Sequence, residues 1–290
     1  MKDLITIGVI NYNRREYIEQ CIKSIEEQTY SNTELIIIDD CSTDGSQDFI
    51  RSYNRDSYSF ILHDKNTGNP AKAINEIIEK AKGEYIFLMT SDDYLTKDCI
   101  SELYNHIGDS DFCYSGYFVV DKRGIIHQTV NALYYSPDDA VKRVLLHGGS
   151  GAITTVGLYK AQFLKNAHYI LYNDIEFDTL NVMRFIKLGY KYKPYSFRPL
   201  MYYRRDGKNR SYDMRYRAEK VNAGLNYIID NFDISKFGVE KEDIPKIFYK
   251  LIDNYYNGIV PNYPNDGIPK EEMDLIVEPF KRSIEKYSKK

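Results

Sequence analysis

The chain has no tryptophan, and its 290 residues include only four cysteines and five histidines. Cys21, Cys41, Cys99 and Cys113 are scattered with no CxxC pair. That argues against a disulfide framework or a structural zinc site and fits a reducing compartment. His63, His106, His127, His147 and His168 form no HxxxH or HExxH spacing, so each reads as a structural or surface residue. No run approaches the roughly 20 apolar residues that cross a bilayer. The first residues pass straight into an apolar run without a charged-then-apolar leader. We therefore expect a cytoplasmic protein. The net charge of −3 gives no basic surplus, so no nucleic-acid partner is expected.

What the chain does have is a 43% hydrophobic share, enough for a sizeable core in one large domain plus an appendage, or in two domains. It also carries 28 tyrosines. Tyrosine can line sugar or partner sites, but its abundance beside isoleucine, lysine and asparagine reads first as a compositional habit.

The first half alternates short apolar runs with amphipathic stretches. The runs lie at 4–10, 35–38, 60–62 and 86–89. Between them, Tyr17, Ile18, Cys21, Ile22 and Ile25 share one face of a helix over 14–28, and Ala73, Ile74, Ile77, Ile78 and Ala81 one over 70–82. A helix start is signalled over 42–52. This rhythm argues for an α/β fold with a mostly parallel sheet. Further on we expect a helix at 96–107, strands at 111–120 and 124–130, a helix at 137–147, a glycine-rich loop at 147–151 and a strand at 152–159. A helix over 174–188 stops at Gly189. An extended stretch over 190–203 is interrupted by Pro194 and Pro199. Three helices follow, at 211–231, 241–257 and 270–288. The expected division is a domain at 1–205 and a helical region at 206–290.

The richest stretch is Phe87-Leu-Met-Thr-Ser-Asp-Asp-Tyr94, where an apolar run ends in two adjacent carboxylates. Open α/β sheets bind ligands at this edge of their strands. Hard oxygen ligands there suit Mg²⁺ or Mn²⁺ bridging to a phosphate. The plainer reading is that Asp92 or Asp93 caps the helix that follows.

An ordered series of motifs resembles glycosyltransferase family 2, a GT-A fold family. It runs from Val9-Ile-Asn-Tyr-Asn-Arg14 through Ser24-Ile-Glu-Glu-Gln-Thr-Tyr30 and Glu34-Leu-Ile-Ile-Ile-Asp-Asp-Cys-Ser-Thr-Asp-Gly-Ser46. Asn66-Thr-Gly-Asn-Pro-Ala-Lys-Ala-Ile-Asn75, Ala81-Lys-Gly-Glu-Tyr-Ile-Phe-Leu88 and Ser91-Asp-Asp-Tyr94 continue it. Asp178, Arg184 and Leu188-Gly-Tyr190 follow, then Tyr203-Arg204. The resemblance covers about residues 3–205. It implies a GT-A, Rossmann-like sheet flanked by helices and an inverting transfer from a nucleotide-sugar, UDP-linked by preference, to a glycan or lipid-linked acceptor. A place in surface polysaccharide or glycoconjugate synthesis is the expectation by analogy.

Residue by residue, the resemblance implies that Ile10, Asn11 and Tyr12 meet the base, with Tyr12 stacking on it or serving as an ordinary loop aromatic. Asp40 corresponds to the uracil-contacting aspartate; the alternative is a cap on the helix over 42–52. Asp39 reads as structural. Gly68 and Asn69 open a helix whose backbone N–H groups can approach phosphate, though a simple turn explains them as well. Asp92 is expected at the ribose and Asp93 at the metal, or in the reverse order. Thr90 stands where the family's Asp-x-Asp pattern begins, which removes one anionic ligand. The base is expected at Asp178, with Asp174 and Glu176 as rivals; Phe177 replaces the usual preceding acid. Arg204 or Arg205 could reach the diphosphate or remain solvated.

The C-terminal third is outside the resemblance. Its last residues include Lys281, Arg282, Lys286, Lys289 and Lys290 against Glu285. They could touch the inner face of an anionic membrane, or complement a helix dipole in solvent. Two other functions stay open at this point. One is a degenerate GT-A module that binds a nucleotide or glycan without transfer. The other is a nucleotidyltransferase, although Asn11-Tyr-Asn-Arg14 lacks the glycine-rich loop such enzymes carry after the first strand.

Overall fold

Residues 2–53, 58–147, 156–168, 178–207, 213–257 and 268–289 are described by a computed structural model. They group into two compact units. One comprises Met1–Tyr134, Ala152–Glu176 and Gly189–Asp206, the other Tyr135–Gly151, Phe177–Leu188 and Gly207–Lys290.

The first unit begins with the expected alternation: β1 (Ile5–Asn11), α1 (Arg15–Glu26), β2 (Thr33–Asp39), α2 (Ser46–Ser52), β3 (Tyr58–Leu62), α3 (Pro70–Lys80) and β4 (Tyr85–Thr90). β1 pairs in parallel with β2 on one side and β4 on the other, and β2 pairs in parallel with β3. Strands buried on both faces read as continuous apolar runs, and every residue of β1 except Ile10 is buried. α1 buries the face that periodicity assigned it, Tyr17, Ile18, Cys21, Ile22 and Ile25; on α3 Ala73, Ile77 and Ile78 are buried, Ile74 is half-buried, and buried Ala81 lies just past the helix end. α3 lies so close to β1 that a Cβ on Gly8 would sit 2.5 Å from the Ile77 side chain. Glycine is needed there for packing rather than for backbone freedom.

The unit continues through β5 (Tyr94–Leu95), α4 (Cys99–Ile107), β6 (Phe112–Ser115), β7 (Tyr117–Val120) and β8 (Ile126–Val130). After a segment that belongs to the second unit it resumes with β9 (Gly157–Lys160), α6 (Ala161–Ala167), β10 (Tyr192–Tyr195) and β11 (Met201–Arg204). The main sheet runs β10-β6-β9-β4-β1-β2-β3, with β9 antiparallel to both neighbours. A smaller sheet runs β5-β11-β7-β8. The strand expected over 111–120 is therefore two strands in two sheets. They part at Gly116, where a Cβ would lie 2.1 Å from the Val130 carbonyl oxygen. α6 was not anticipated from the sequence.

The second unit is helical. It holds α5 (Pro137–His147), α7 (Asp178–Lys187), α8 (Met214–Asn231), α9 (Ile244–Tyr256), α10 (Lys270–Ile276) and α11 (Glu278–Ser288). The observed limit at Asp206–Gly207 adjoins the expected one, but α5 and α7, from within 1–205, group with the C-terminal helices. Asp213 caps α8 by accepting from the backbone N–H of Arg215 and Tyr216. The helix expected over 270–288 is broken at Val277. Pro279 follows in the first turn of α11, where its missing N–H costs nothing. α8 and α11 are registered by a buried polar chain: Asn226 Nδ2 donates to Ser283 Oγ at 2.9 Å, Ser283 Oγ to Asn222 Oδ1 at 2.7 Å, and Tyr287 Oη to Asn226 Oδ1 at 2.9 Å.

Candidate functional site

The order of the parallel strands reverses between β1 and β4, with β2 on the far side of β1. Ligands bind outside the carboxyl ends of strands at such a switch point. The loops leaving β1, β2, β3 and β4 meet there and are tied together by hydrogen bonds. The Ile10 carbonyl accepts from Ser91 N–H at 3.1 Å, and the Asn11 carbonyl from Asp40 N–H at 2.9 Å. Buried Asn11 joins three of these loops. Its Nδ2 donates to Asp39 Oδ2 at 2.5 Å, and its Oδ1 accepts from Ser91 Oγ at 2.5 Å. Asn13, with φ of 52°, accepts from Thr43 N–H at 2.8 Å through Oδ1 and so fixes the exit from β1.

The adjacent acids Asp39 and Asp40 do different things. Asp39 is fully buried and accepts from Ser42 N–H (2.8 Å), Ser42 Oγ (2.6 Å) and Gln47 Nε2 (2.9 Å). It is the structural acid, as the sequence suggested. Asp40 does not cap α2, whose N-cap is Gly45 without a side-chain bond. Its carboxylate faces the loop after β3. Oδ1 accepts from Thr67 N–H at 2.9 Å and Oδ2 from Thr67 Oγ1 at 2.9 Å, while His63 Nδ1 lies 2.9 Å from Oδ1. Tyr12 is exposed beside this corner.

Gly68 has a φ of +70°, open to glycine at no steric cost. Its N–H donates to Asn66 Oδ1 at 2.5 Å. At the start of α3, Asn69 Oδ1 accepts from Ala71 N–H at 3.0 Å and Pro70 has no N–H. The loop thus binds its own donors, which favours the turn reading over a phosphate cradle.

After β4 the two carboxylates diverge. Asp92 is partly exposed and its Oδ2 accepts from Arg14 Nε at 3.2 Å. Asp93 is 2% exposed, and both its oxygens are engaged: Oδ1 by Arg204 N–H at 2.9 Å, Oδ2 by Thr90 Oγ1 at 3.1 Å. Burial, and then the neighbouring Asp92, push the Asp93 carboxyl well above the usual carboxylate range. Thr90, the departure from the family pattern, therefore serves as a partner to Asp93.

Arg204 is turned inward. It is 2% exposed, and its guanidinium donates to the carbonyls of Asp92 (3.0 Å), Asp121 (3.1 Å) and Lys122 (3.1 Å) and to Gln20 Oε1 (2.6 Å). It also lies 4.3 Å from the Tyr17 ring centroid. This is a packing role rather than a contact with a diphosphate.

Among the described residues no group of three or more His, Cys, Asp or Glu side chains is arranged to hold a metal. A cation taking most of its oxygens from a nucleotide diphosphate and water needs only one or two carboxylates. Asp92, partly exposed, fits that demand; Asp93, with both oxygens satisfied inward, fits it less well.

Asp178 begins α7 in the second unit. Asp174, Glu176 and the glycine-rich loop 148–151 lie outside the described residues. The structure thus brings Ile10, Asp40, Asp92 and Asp93 to one strand edge, with Tyr12 and Gly68 on the loops of that edge. Sequence reasoning passed over His63 and Thr67. Their one signal was position, just past the third apolar run and so at the ligand-binding end of β3.

Comparisons with known proteins agree with this geometry. Residues 6–166 match the model of Glycosyl transferase family 2. Glycosyltransferase GlyG of Streptococcus pneumoniae serotype 4 is 38% identical over 112 residues, which are 38% of this chain and 37% of GlyG. The chain thus spans little more than a third of that relative. Among solved structures, S. aureus TarS 1-349 in complex with UDP-GlcNAc superposes with a TM-score of 0.58 at 20% identity, covering 99% of this chain and 89% of the other. Over 100 residues the Staphylococcus aureus protein, a poly(ribitol-phosphate) beta-N-acetylglucosaminyltransferase, is 30% identical, a match covering 33% of this chain and 18% of TarS. Mannosyltransferase PcManGT of Pyrobaculum calidifontis, in complex with GDP-Man and Mn²⁺, gives 0.59 at 14% identity, covering 99% and 85%. The fold is GT-A, with the expected mostly parallel sheet.

Proposed function

We propose that this chain, which belongs to glycosyl transferase family 2, moves a hexose with inversion from a UDP-sugar to a hydroxyl of a glycan or lipid-linked acceptor. The observation that carries the reading is the arrangement of Asp40 and Asp92 at the switch point between β1 and β4. Asp40, oriented by Thr67, would accept the uracil N–H, and the exposed Tyr12 ring would stack on the base. Asp92, with Asp93 beside it, is the carboxylate that would hold Mg²⁺ or Mn²⁺; this is the reverse of the first ordering of the pair. A divalent cation bound there would supply positive charge against the leaving diphosphate. Binding of Mn²⁺ and GDP-Man by PcManGT and of UDP-GlcNAc by TarS supports both the donor class and the cation.

The transfer itself is a single in-line displacement. The acceptor oxygen attacks the anomeric carbon, its proton passes to a carboxylate, and the bond to the diphosphate breaks with its electrons on the leaving group. Asp178 is proposed as that base from the spacing Asp178, Arg184, Gly189. TarS acts by name on poly(ribitol-phosphate), which supports a cell-surface polymer or glycoconjugate as the product class. The free cysteines support a cytoplasmic site for the reaction. No helix among the described residues is long and apolar enough to cross a membrane. Contact with an anionic membrane through the basic C-terminus would rest on Lys289 and on Lys290, which lies outside the described residues, because Lys281, Arg282 and Lys286 are paired with Asp274, Glu219 and Asp230.

A competing reading, a GT-A module that binds without transfer, draws on Thr90 in place of the motif's first acid. A thermal-shift panel of UDP, GDP, dTDP, CDP and CMP, each with Mn²⁺, Mg²⁺ or EDTA, tests the proposal. At 100-fold excess over Kd, a ligand of the native state adds about 2.7 kcal/mol. We expect UDP to raise the midpoint and EDTA to reduce that rise. No shift with any nucleotide would overturn the donor assignment.

A further inference from the structure

We infer that His63 is a positioning residue for the donor base, its ring bridging Asp40 and Glu76 so that the Asp40 carboxylate is held in one orientation toward the uracil edge. The inference rests on the donor reading above and goes beyond it by naming the group that sets the orientation of Asp40. Nδ1 of His63 lies 2.9 Å from Asp40 Oδ1, and Nε2 lies 2.9 Å from Glu76 Oε2 on α3. The histidine backbone is fixed independently: its N–H donates to the Asp39 carbonyl at 2.9 Å, and its carbonyl accepts from Gln47 Nε2 at 3.1 Å. The ring is therefore anchored to the sheet by its backbone and held between the two carboxylates.

The chemistry of the bridge fixes its charge state. A neutral imidazole has one N–H donor and one lone pair, so it can satisfy only one of two carboxylates and turns a lone pair toward the other. Only the imidazolium donates to both. Burial disfavours that charge, yet the hydrogen bonds and charges of Asp40 and Glu76 outweigh it, and the His63 pKa is raised above the ordinary imidazole value. Among the described residues, Lys80 pairs with the bridge at 3.9 Å from Glu76 and opposes the imidazolium weakly. α2 faces it with the neutral Gln47 amide. Because the folded-state pKa is raised, the bridge is complete below the ordinary imidazole range and is lost as pH rises through the higher folded value. Asp40 then keeps Thr67 but loses its charged partner, and the base should bind less tightly.

The test is titration calorimetry of UDP-glucose and UDP-N-acetylglucosamine, whose diphosphates do not titrate between about pH 6 and 8.5. Wild-type affinity is expected to fall about tenfold across that range, the loss of one charged hydrogen bond's ordering. His63→Gln, which can donate one bond and does not titrate, should give a flat profile between the two wild-type limits. Glu76→Gln leaves Asp40 and Thr67 in place. It should lower the NMR titration midpoint of His63 and carry the midpoint of the binding profile down with it. A merely structural histidine would not link those two midpoints. Wild-type binding independent of pH, or a His63→Gln profile with the wild-type slope, overturns the inference while leaving the donor reading intact. Absence of binding by either UDP-sugar at every pH overturns the donor reading, and the inference with it.

Discussion

Arg204→Met separates two roles that an arginine near a diphosphate site could play. The side chain loses four donated bonds. Two of their acceptors, the carbonyls of Asp92 and Asp121, belong to partly buried residues. Each loses a charged donor, at about 1.5–2 kcal/mol. The other two, on Lys122 and Gln20, belong to exposed residues and are rewetted for about 0.5 kcal/mol each. Stacking on Tyr17 contributes about 0.5–1 kcal/mol more. Removing a buried charge also relieves its own desolvation, which brings the net loss to about 3–5 kcal/mol. For a unit of this size that lowers the unfolding midpoint by about 10 °C. Scanning calorimetry and urea denaturation measure the loss, and donor affinity is measured well below the transition. We expect a large fall in stability and an affinity close to wild type, since the backbone N–H of residue 204 still holds Asp93. A midpoint near wild type with donor binding abolished would refute the reasoning and return Arg204 to the diphosphate.

Two further outcomes follow from other parts of the molecule. Asp178→Asn should abolish sugar transfer while leaving UDP-sugar binding nearly intact by calorimetry; normal turnover would move the base elsewhere. Asn226→Ala removes the hub between α8 and α11, while Ser283 Oγ keeps its bond to Asn222 and Tyr287 Oη its bonds to Asp230 and Lys286, so the loss is about 1–2 kcal/mol. Urea denaturation should show that loss.

What was legible in the sequence was whatever repeats or sits at a strand end. The apolar runs and helical faces of the first ninety residues located β1 to β4, α1 and α3, because a period of two or of 3.6 is a local property. The adjacent acids Asp39 and Asp40 were separated by the resemblance, which assigned Asp40 to the base and left Asp39 structural; Asp39 is indeed buried in β2, and Asp40 meets the loop after β3. Features set by distant chain were not legible. Gly116 looks like any glycine in an apolar run, and only the Val130 carbonyl makes it the point where one strand becomes two sheets. Nothing near Arg204 in sequence announces that Asp92, Asp121, Lys122 and Gln20 will surround it. His63 and Glu76 are thirteen residues apart and Asp40 is twenty-three away in the other direction, so the bridge exists only once β2, β3 and α3 have packed. The acid pair Asp92-Asp93 combines both cases. Its place at the β4 edge was readable because the apolar run ends there. The division of labour within it was not, because Asp93 is drawn inward by a backbone N–H more than a hundred residues away. A motif therefore fixes where carboxylates gather, and long-range packing decides which of them is left to meet a ligand.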